Sequence, residues 1–185
     1  MKEQRCLWLG IVIACLLLSS CNVYASDLHA SAIQAKETQA QVTSSKALFS
    51  FSGNTSGIYQ LQATTPISKL RHGHAEFTID IVDGKRSLVI VFFGYTGPAT
   101  YQLTNRTNGG DVRITLDQQY WDLSLIPTLT CTLVVHSDEP TEETGIDHMR
   151  GKFSCPTLPA GHFNTSNQPV TVTSGQFDIA IIVES

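Results

Sequence analysis

Apolar and polar residues alternate with a period of two along most of the chain after residue 46. The clearest runs are Ala75–Ile81, Val112–Leu116 and Phe177–Val183, in which every second residue is apolar. Similar runs cover Trp121–Leu125 and Leu129–Val135. This period is typical of β-strands that bury one face, whereas no stretch of ten residues in this region has a helical period.

Segments rich in Gly, Pro and Asn separate these runs and predict turns. Asp83-Gly84-Lys85 is a hairpin signal, because glycine readily adopts a positive φ angle. Further candidate strands are Leu48–Phe51, Ile58–Ala63, Thr100–Leu103, Met149–Cys155 and Val170–Thr173. The pattern therefore predicts an all-β domain over residues 47–185, an antiparallel β-sandwich of about nine to ten short strands.

One predicted strand, Leu88–Phe93, is apolar on both faces. It is either a central strand whose outer face is covered, or an exposed apolar patch that contacts a ligand or another protein. In the second case Val89 and Val91 point outward, and the following loop adds two aromatic side chains. The candidate binding surface then consists of Val89, Val91, Tyr95 and Tyr101.

The first twenty residues have the pattern of a secretory signal, a charged start followed by the apolar run Cys6–Leu18. The run is too short for a permanent transmembrane helix. Leu18-Ser19-Ser20-Cys21 resembles the bacterial lipobox, and this resemblance implies lipidation of Cys21. We therefore expect a lipoprotein signal peptide over residues 1–20 and an exported protein, lipid-anchored at the cell membrane or cell surface.

Three other interpretations of the N-terminus remain open. The chain could be cut after Ala25, a second lipobox could end at Cys15, or the apolar run could form a buried helix. Residues 21–46 are rich in Ala, Ser, Gln and Thr, and residues 27–46 contain no aromatic side chain. This composition predicts a flexible tether between the membrane and the β domain.

The sequence has five cysteines: Cys6, Cys15, Cys21, Cys131 and Cys155. Two lie in the signal and one is the lipid acceptor, which leaves a single pair. Alternation places Cys131 with Leu133, and Cys155 with Phe153, on core-facing sides of strands. Because exported proteins meet an oxidising environment, we expect a Cys131–Cys155 disulfide. A reactive or metal-binding thiolate is the alternative, but the CxxC spacing is missing.

A candidate metal site is formed by His72, His74 and Glu76, which share one face of a predicted strand. Two imidazoles and a carboxylate could ligate Zn²⁺ or Cu²⁺. The alternative is a solvated polar face, since Arg71 lies beside them and no further ligand is evident. The acidic connection Ser137–Gly145 lacks the regular oxygen spacing of a calcium loop.

The net charge and the lack of catalytic sequence motifs limit the classes of function that the sequence supports. The formal net charge is −4 and no basic run occurs, which argues against nucleic acid as a partner. Hydrolase and phosphate-loop signatures are missing. We therefore expect a non-enzymatic module without a cofactor that binds an unknown protein or glycan or interacts with the envelope. A metal-binding or metal-dependent protein using His72, His74 and Glu76 is the alternative.

Three segments carry a resemblance to a protein family. They are Gly94–Leu103, which contains Tyr-Thr-Gly-Pro-Ala-Thr-Tyr-Gln-Leu, then Gly151–Leu158, and Gly175-Gln176-Phe177. Together with Cys131 they resemble small bacterial secreted lipoproteins of unknown function, although Ala99 replaces a glycine of that pattern. The resemblance covers about residues 90–183 and implies a β-sandwich with a disulfide. It supplies no catalytic residue.

Overall fold

The computed structural model describes residues 44–53, 55–71, 76–105 and 109–184, which form an all-β domain. Within these ranges eleven strands belong to one hydrogen-bonded sheet. The strands are β1 (Ser45–Gly53), β2 (Gly57–Ala63), β3 (Ser68–Arg71), β4 (Glu76–Asp83), β5 (Arg86–Phe93), β6 (Thr100–Thr104), β7 (Gly110–Leu116), β8 (Gln119–Asp122), β9 (Thr130–Pro140), β10 (Ile146–Leu158) and β11 (Val170–Glu184). Among the described residues, no helix has both the length and the apolar character needed to cross a membrane.

Inward and outward side chains alternate along these strands, as the sequence predicts. In β5, Leu88 and Ile90 are buried, whereas Val89 and Val91 are half-buried. The hairpin from β4 to β5 turns at Gly84, whose φ angle of +61° is one that glycine adopts without strain. The all-β class is therefore confirmed.

Strand β11, with 15 residues, organises the sheet. At the usual rise per residue β11 is about 50 Å long, so two strands can pair with the same edge of it, one after the other. Strand β10 pairs with one edge, while β1 and β3 share the other. Because the β3 pairing is parallel, the sheet is mixed and not antiparallel as predicted. The order is β6-β9-β10-β11-β3-β4-β5-β7-β8, with β1 and β2 as a branch from β11.

The sheet curls, so that strands far apart in its order pack against each other across the core. Phe51 of β1 and Trp121 of β8 meet edge to face, with ring centroids 5.1 Å apart. The rings of Phe92 in β5 and Tyr101 in β6 have centroids 4.5 Å apart. The curled sheet thus covers its own apolar face, as a β domain without helices must.

The predicted strand Trp121–Leu125 ends early, at Asp122. The Asp122 carboxylate accepts a hydrogen bond of 2.8 Å from the backbone N–H of Ser124 and caps a short 3₁₀ turn, η1 (Leu123–Leu125). Such local side-chain bonds to the backbone compete with strand pairing. Leu123 is buried all the same, so apolar alternation alone did not distinguish the strand from the turn.

Two Gly-x-Phe segments face each other across β10 and β11. Gly151 lies opposite Phe177, and Phe153 lies opposite Gly175. A Cβ atom added to Gly175 would be 2.3 Å from Cε1 of the Phe153 ring, and one added to Gly151 would be 2.4 Å from Cζ of Phe177. Each ring thus occupies the space over a glycine in the neighbouring strand, a known way of stabilising glycine within sheets. These segments have a packing role here.

Candidate functional site

The Cys131–Cys155 disulfide joins β9 to β10 on the inner face of the sheet. The Cα atoms are 4.4 Å apart, within the usual range for disulfides, and both residues are fully buried. The predicted pairing and its core-facing register are confirmed. The alternative of a reactive or metal-binding thiolate at these positions is wrong, since both sulfurs are bonded to each other.

Val89 and Val91 point outward from β5, as predicted, but charged and polar neighbours surround them. Val89 lies between Asp80 of β4 and Arg113 of β7, and Val91 lies opposite Asp111 of β7. The two valines are half-buried. They form a narrow apolar stripe within a charged face, and not a broad apolar patch.

Tyr95 lies on the opposite face of the sheet from the two valines. It is only 9% exposed, and its ring stacks on Phe77 in the core with centroids 5.3 Å apart. The Tyr95 hydroxyl donates a 2.8 Å hydrogen bond to Asp138. Burial, followed by this hydrogen bond, raises the pKa of Tyr95. Tyr95 therefore belongs to the core and cannot contribute to an exposed binding surface with Val89 and Val91.

Tyr101 holds the loop between β5 and β6. Its hydroxyl donates to the carbonyl of Gly97 and accepts a 3.3 Å hydrogen bond from the backbone N–H of Thr96. Its ring packs on Phe92, which faces the core. The four predicted surface residues thus do not form one surface, because the loop carries Tyr95 to the inner face and the ring of Tyr101, in β6, packs on Phe92 there.

An ionic cluster lies beside the valine stripe. Arg113 donates from Nε to Asp122 at 2.8 Å, and a terminal nitrogen of Arg113 lies 3.6 Å from Asp111. Burial, and then the charge of Asp122, raise the pKa of Asp111. Burial also acts to raise the pKa of Asp122, but hydrogen bonds from Ser124 and Arg113 outweigh it and hold that pKa below its ordinary value. Asp122 is therefore the carboxylate that anchors the cluster.

Replacing Asp122 with Ala is expected to lower the free energy of unfolding by about 2–3 kcal/mol, because Arg113 and the Ser124 N–H lose a buried charged acceptor. A chemical unfolding titration measures this. Glu142→Ala, which removes an exposed carboxylate, is the control and should change stability by less than about 0.5 kcal/mol.

The Asp122 contribution also depends on pH. A carboxylate whose pKa is depressed by folding stabilises the protein above its unfolded-state pKa, near 3.8, and loses that effect as pH falls through its folded-state pKa. The stability difference between wild type and Asp122→Asn should therefore shrink as pH falls below about 3.8. A difference that grows on acidification would contradict the assigned direction.

Replacing Val89 with Lys is expected to leave the melting temperature within about 2 °C of wild type, because the new side chain points outward between Asp80 and Arg113, whose charges on it have opposite effects. Ile90→Lys, one position along the same strand, should cost more than about 4 kcal/mol because Ile90 is fully buried. Thermal unfolding monitored by circular dichroism compares the two. Equal destabilisation would mean that the outer face of β5 is also core.

Of the three residues of the candidate metal site, the structure describes Glu76. His72 and His74 lie outside the described residues. Glu76 is engaged in a 3.3 Å ion pair with Arg71, which also pairs with Glu184 at 2.8 Å. Among the residues that the structure describes, no three His, Cys, Asp or Glu side chains come together as metal ligands. Metal binding by His72, His74 and Glu76 stays a prediction.

The outer face of strands β2, β1, β11, β10 and β9 carries an open groove that sequence reasoning did not identify. Its volume is about 530 Å³. Polar side chains from all five strands line what we call the basic groove: Lys46, Gln60, His136, Arg150, Lys152, Gln176 and Asp178. The exposed side chain of Leu48 adds an apolar part to its wall. The only available signal was that each of the polar residues faces outward, because their proximity depends on the strand order.

The negative charge of Asp178, the acidic residue in the basic groove, is compensated by neighbouring side chains. Its carboxylate contacts Nε2 of His148 and lies 3.7 Å from Nε of Arg150. A terminal nitrogen of Arg150 lies 3.2 Å from Nδ1 of His148. Within the part of the chain that the structure describes, Lys46 and Lys152 have no ion-pair partner. The groove is therefore a site of net positive charge.

Comparison of the chain with models of protein families, with curated proteins and with solved structures found no match. The resemblance to small bacterial secreted lipoproteins accordingly stays a prediction from the quoted segments.

Proposed function

We propose that this protein is exported, is held at the cell membrane by lipid on Cys21, and acts there as a non-enzymatic binding module. The observation that carries the proposal is the buried disulfide between Cys131 and Cys155. Disulfides of this kind persist in oxidising compartments and are rare in the cytosol. The leader and Leu18-Ser19-Ser20-Cys21 supply an independent argument for the same destination.

The charges of the β domain favour binding over chemistry. Arg113 and Asp122 are hydrogen-bonded to each other, and Asp178 contacts His148 and Arg150, so these groups serve to stabilise the sheet. In the basic groove, Lys46 and Lys152 have no ion-pair partner among the described residues, and both are exposed to a ligand. A protein or glycan of the envelope remains the expected partner. Nucleic acid is disfavoured by the net charge of −4.

The predicted tether makes this arrangement physically workable. Residues 22–44 separate the lipid acceptor from the first strand, which begins at Ser45. A chain of this length and composition lets a folded domain sample the space above a membrane while it stays attached. Two or three acyl chains are needed for stable anchoring, since one chain binds a membrane only marginally.

Metabolic labelling with radioactive palmitate tests the anchoring. We expect label on the wild-type chain in the membrane fraction, none on Cys21→Ser, and unchanged labelling of Cys15→Ser. The second variant is a matched control, because Cys15 ends the other lipobox-like segment. A wild-type chain that takes up no label and is soluble in the medium would refute the anchoring.

A further inference from the structure

We propose that the basic groove binds an acidic polysaccharide, with cationic side chains holding its carboxylates and neutral polar side chains holding its hydroxyls. The inference names the ligand class of the binding module proposed above and in that sense rests on it. Purified protein can be tested for it without any membrane, so the two proposals can fail separately.

The charge of the groove opposes that of the whole chain. Lys46, Arg150 and Lys152 contribute three permanent positive charges, against the single negative charge of Asp178. The chain as a whole has a net charge of −4. A positive cleft on an acidic protein concentrates field lines at one place and attracts an anionic ligand to it.

Neutral polar groups extend the groove along the sheet. Gln176 and Lys152 line both the basic groove and an adjoining depression of about 350 Å³. The walls of that depression also carry hydroxyl side chains, namely Thr132, Ser154, Thr173 and Ser174. Amides and hydroxyls both donate and accept hydrogen bonds, as the hydroxyl groups of a sugar require. The five strands beneath the basic groove are about 19 Å across, which leaves room for several sugar rings.

The position of the groove argues against a peptide strand as the ligand. Strands β1, β11 and β10 each have hydrogen-bonded neighbours on both sides at this place. Peptides that add to a sheet need an unpaired strand edge, and the backbone groups of these three central strands are already used. Only the outer strand β2 has a single hydrogen-bonded neighbour, at the border of the groove. Recognition over the middle of the groove must therefore come from side chains, which suits a polymer that carries its own carboxylates and hydroxyls.

The shape of the groove argues against the membrane surface itself. Lys152 and Lys46 line a concave site together with Gln60 and Gln176. A flat layer of anionic headgroups is best met by protruding basic side chains, whereas a narrow polysaccharide chain can enter a concavity.

Isothermal titration of the full chain, purified in detergent, with an oligomer of α-1,4-linked galacturonic acid tests the inference. The fully methyl-esterified oligomer of the same length is the neutral control. We expect binding of the acidic oligomer that weakens as salt is raised, and no binding of the ester. Lys152→Glu should weaken affinity about tenfold, since it reverses one charge in the groove.

Lys85→Glu is the matched protein control, because it makes the same charge change in the exposed β4–β5 turn, outside the groove. It should alter affinity less than twofold. Circular dichroism checks that Lys152→Glu is folded, and Lys46→Glu replaces it if it is not. Equal loss in Lys85→Glu, equal binding of the ester, or binding only to phosphatidylglycerol vesicles would each overturn the proposal, as would no binding at all.

Discussion

Replacing Gly175 with Ala is expected to destabilise the β domain by about 3 kcal/mol, the upper range for a forced overpacking of a core. The added Cβ would lie 2.3 Å from the Phe153 ring, far inside van der Waals contact. The ring has little room to move, because Phe153 is buried and lies against Phe49 with centroids 6.2 Å apart. A urea unfolding titration measures the loss.

A second substitution that shortens the neighbouring phenylalanine shows whether the added Cβ clashes only with that ring or also with the backbone. The three nearest atoms to a Cβ at Gly175 all belong to the Phe153 ring, so Phe153→Leu should recover part of the loss in Gly175→Ala. A Cβ at Gly151 would also lie 2.3 Å from the carbonyl oxygen of Val134. Phe177→Leu should therefore fail to recover Gly151→Ala, because the backbone clash remains.

Gly57→Ala is the control for these variants. Its Cβ would lie 3.3 Å from the half-exposed Tyr59 ring, which can shift towards solvent. We expect a change of less than about 1 kcal/mol there. If Gly175→Ala were as stable as Gly57→Ala, the reciprocal packing of the two Gly-x-Phe segments would not be a stabilising feature.

Removing the disulfide, as Cys131→Ala with Cys155→Ala, is expected to lower the free energy of unfolding by about 3.5 kcal/mol. The two cysteines are 24 positions apart, and the chain-entropy relation gives about this value for a loop of that size. The bond also fills space in the core, so the double variant loses packing as well as cross-linking. Chemical unfolding with and without a reductant measures both contributions.

Reduced wild type should unfold at a lower denaturant concentration than oxidised wild type, because it lacks the cross-link. The double variant should unfold at a lower concentration still, because it also lacks the two buried sulfur atoms. Cys21→Ser leaves the β domain unchanged and should unfold like oxidised wild type. A wild-type domain whose stability does not respond to reductant would show that the bond contributes nothing to folding.

The strands with one buried face could be predicted from sequence because burial imposes a period of two. In β5 every second residue is buried: Leu88, Ile90 and Phe92 face the core, and Val89 and Val91 between them do not. Strand β3, only four residues long, has too few positions to show the period, and the alternation did not mark it. The 3₁₀ turn η1 was missed for another reason, since it depends on the Asp122 side chain and not on hydrophobicity.

The functional surfaces were harder to predict because they depend on strand order. The alternation along β5 correctly places Val89 and Val91 on the outer face. Tyr95 follows the strand, so its stacking on Phe77 in the core depends on the path of the loop and not on the alternation. The basic groove combines residues as distant in sequence as Lys46 and Asp178, which lie opposite each other in the register of β1 and β11. Without an assignment of neighbouring strands, outward lysines and glutamines show no signal beyond ordinary surface polarity.

The mass of the intact mature chain, measured before and after thiol alkylation, tests the central claim of an exported, lipid-anchored and oxidised domain most directly. Cleavage before Cys21 removes Cys6 and Cys15, lipid occupies the Cys21 thiol, and the remaining two cysteines are bonded. We therefore predict a chain that begins at Cys21, carries the mass of a lipid, gains no alkyl group as isolated and gains two after reduction. A chain that begins at Ser26, retains residue 1, or is alkylated at Cys131 or Cys155 without reduction would contradict the claim.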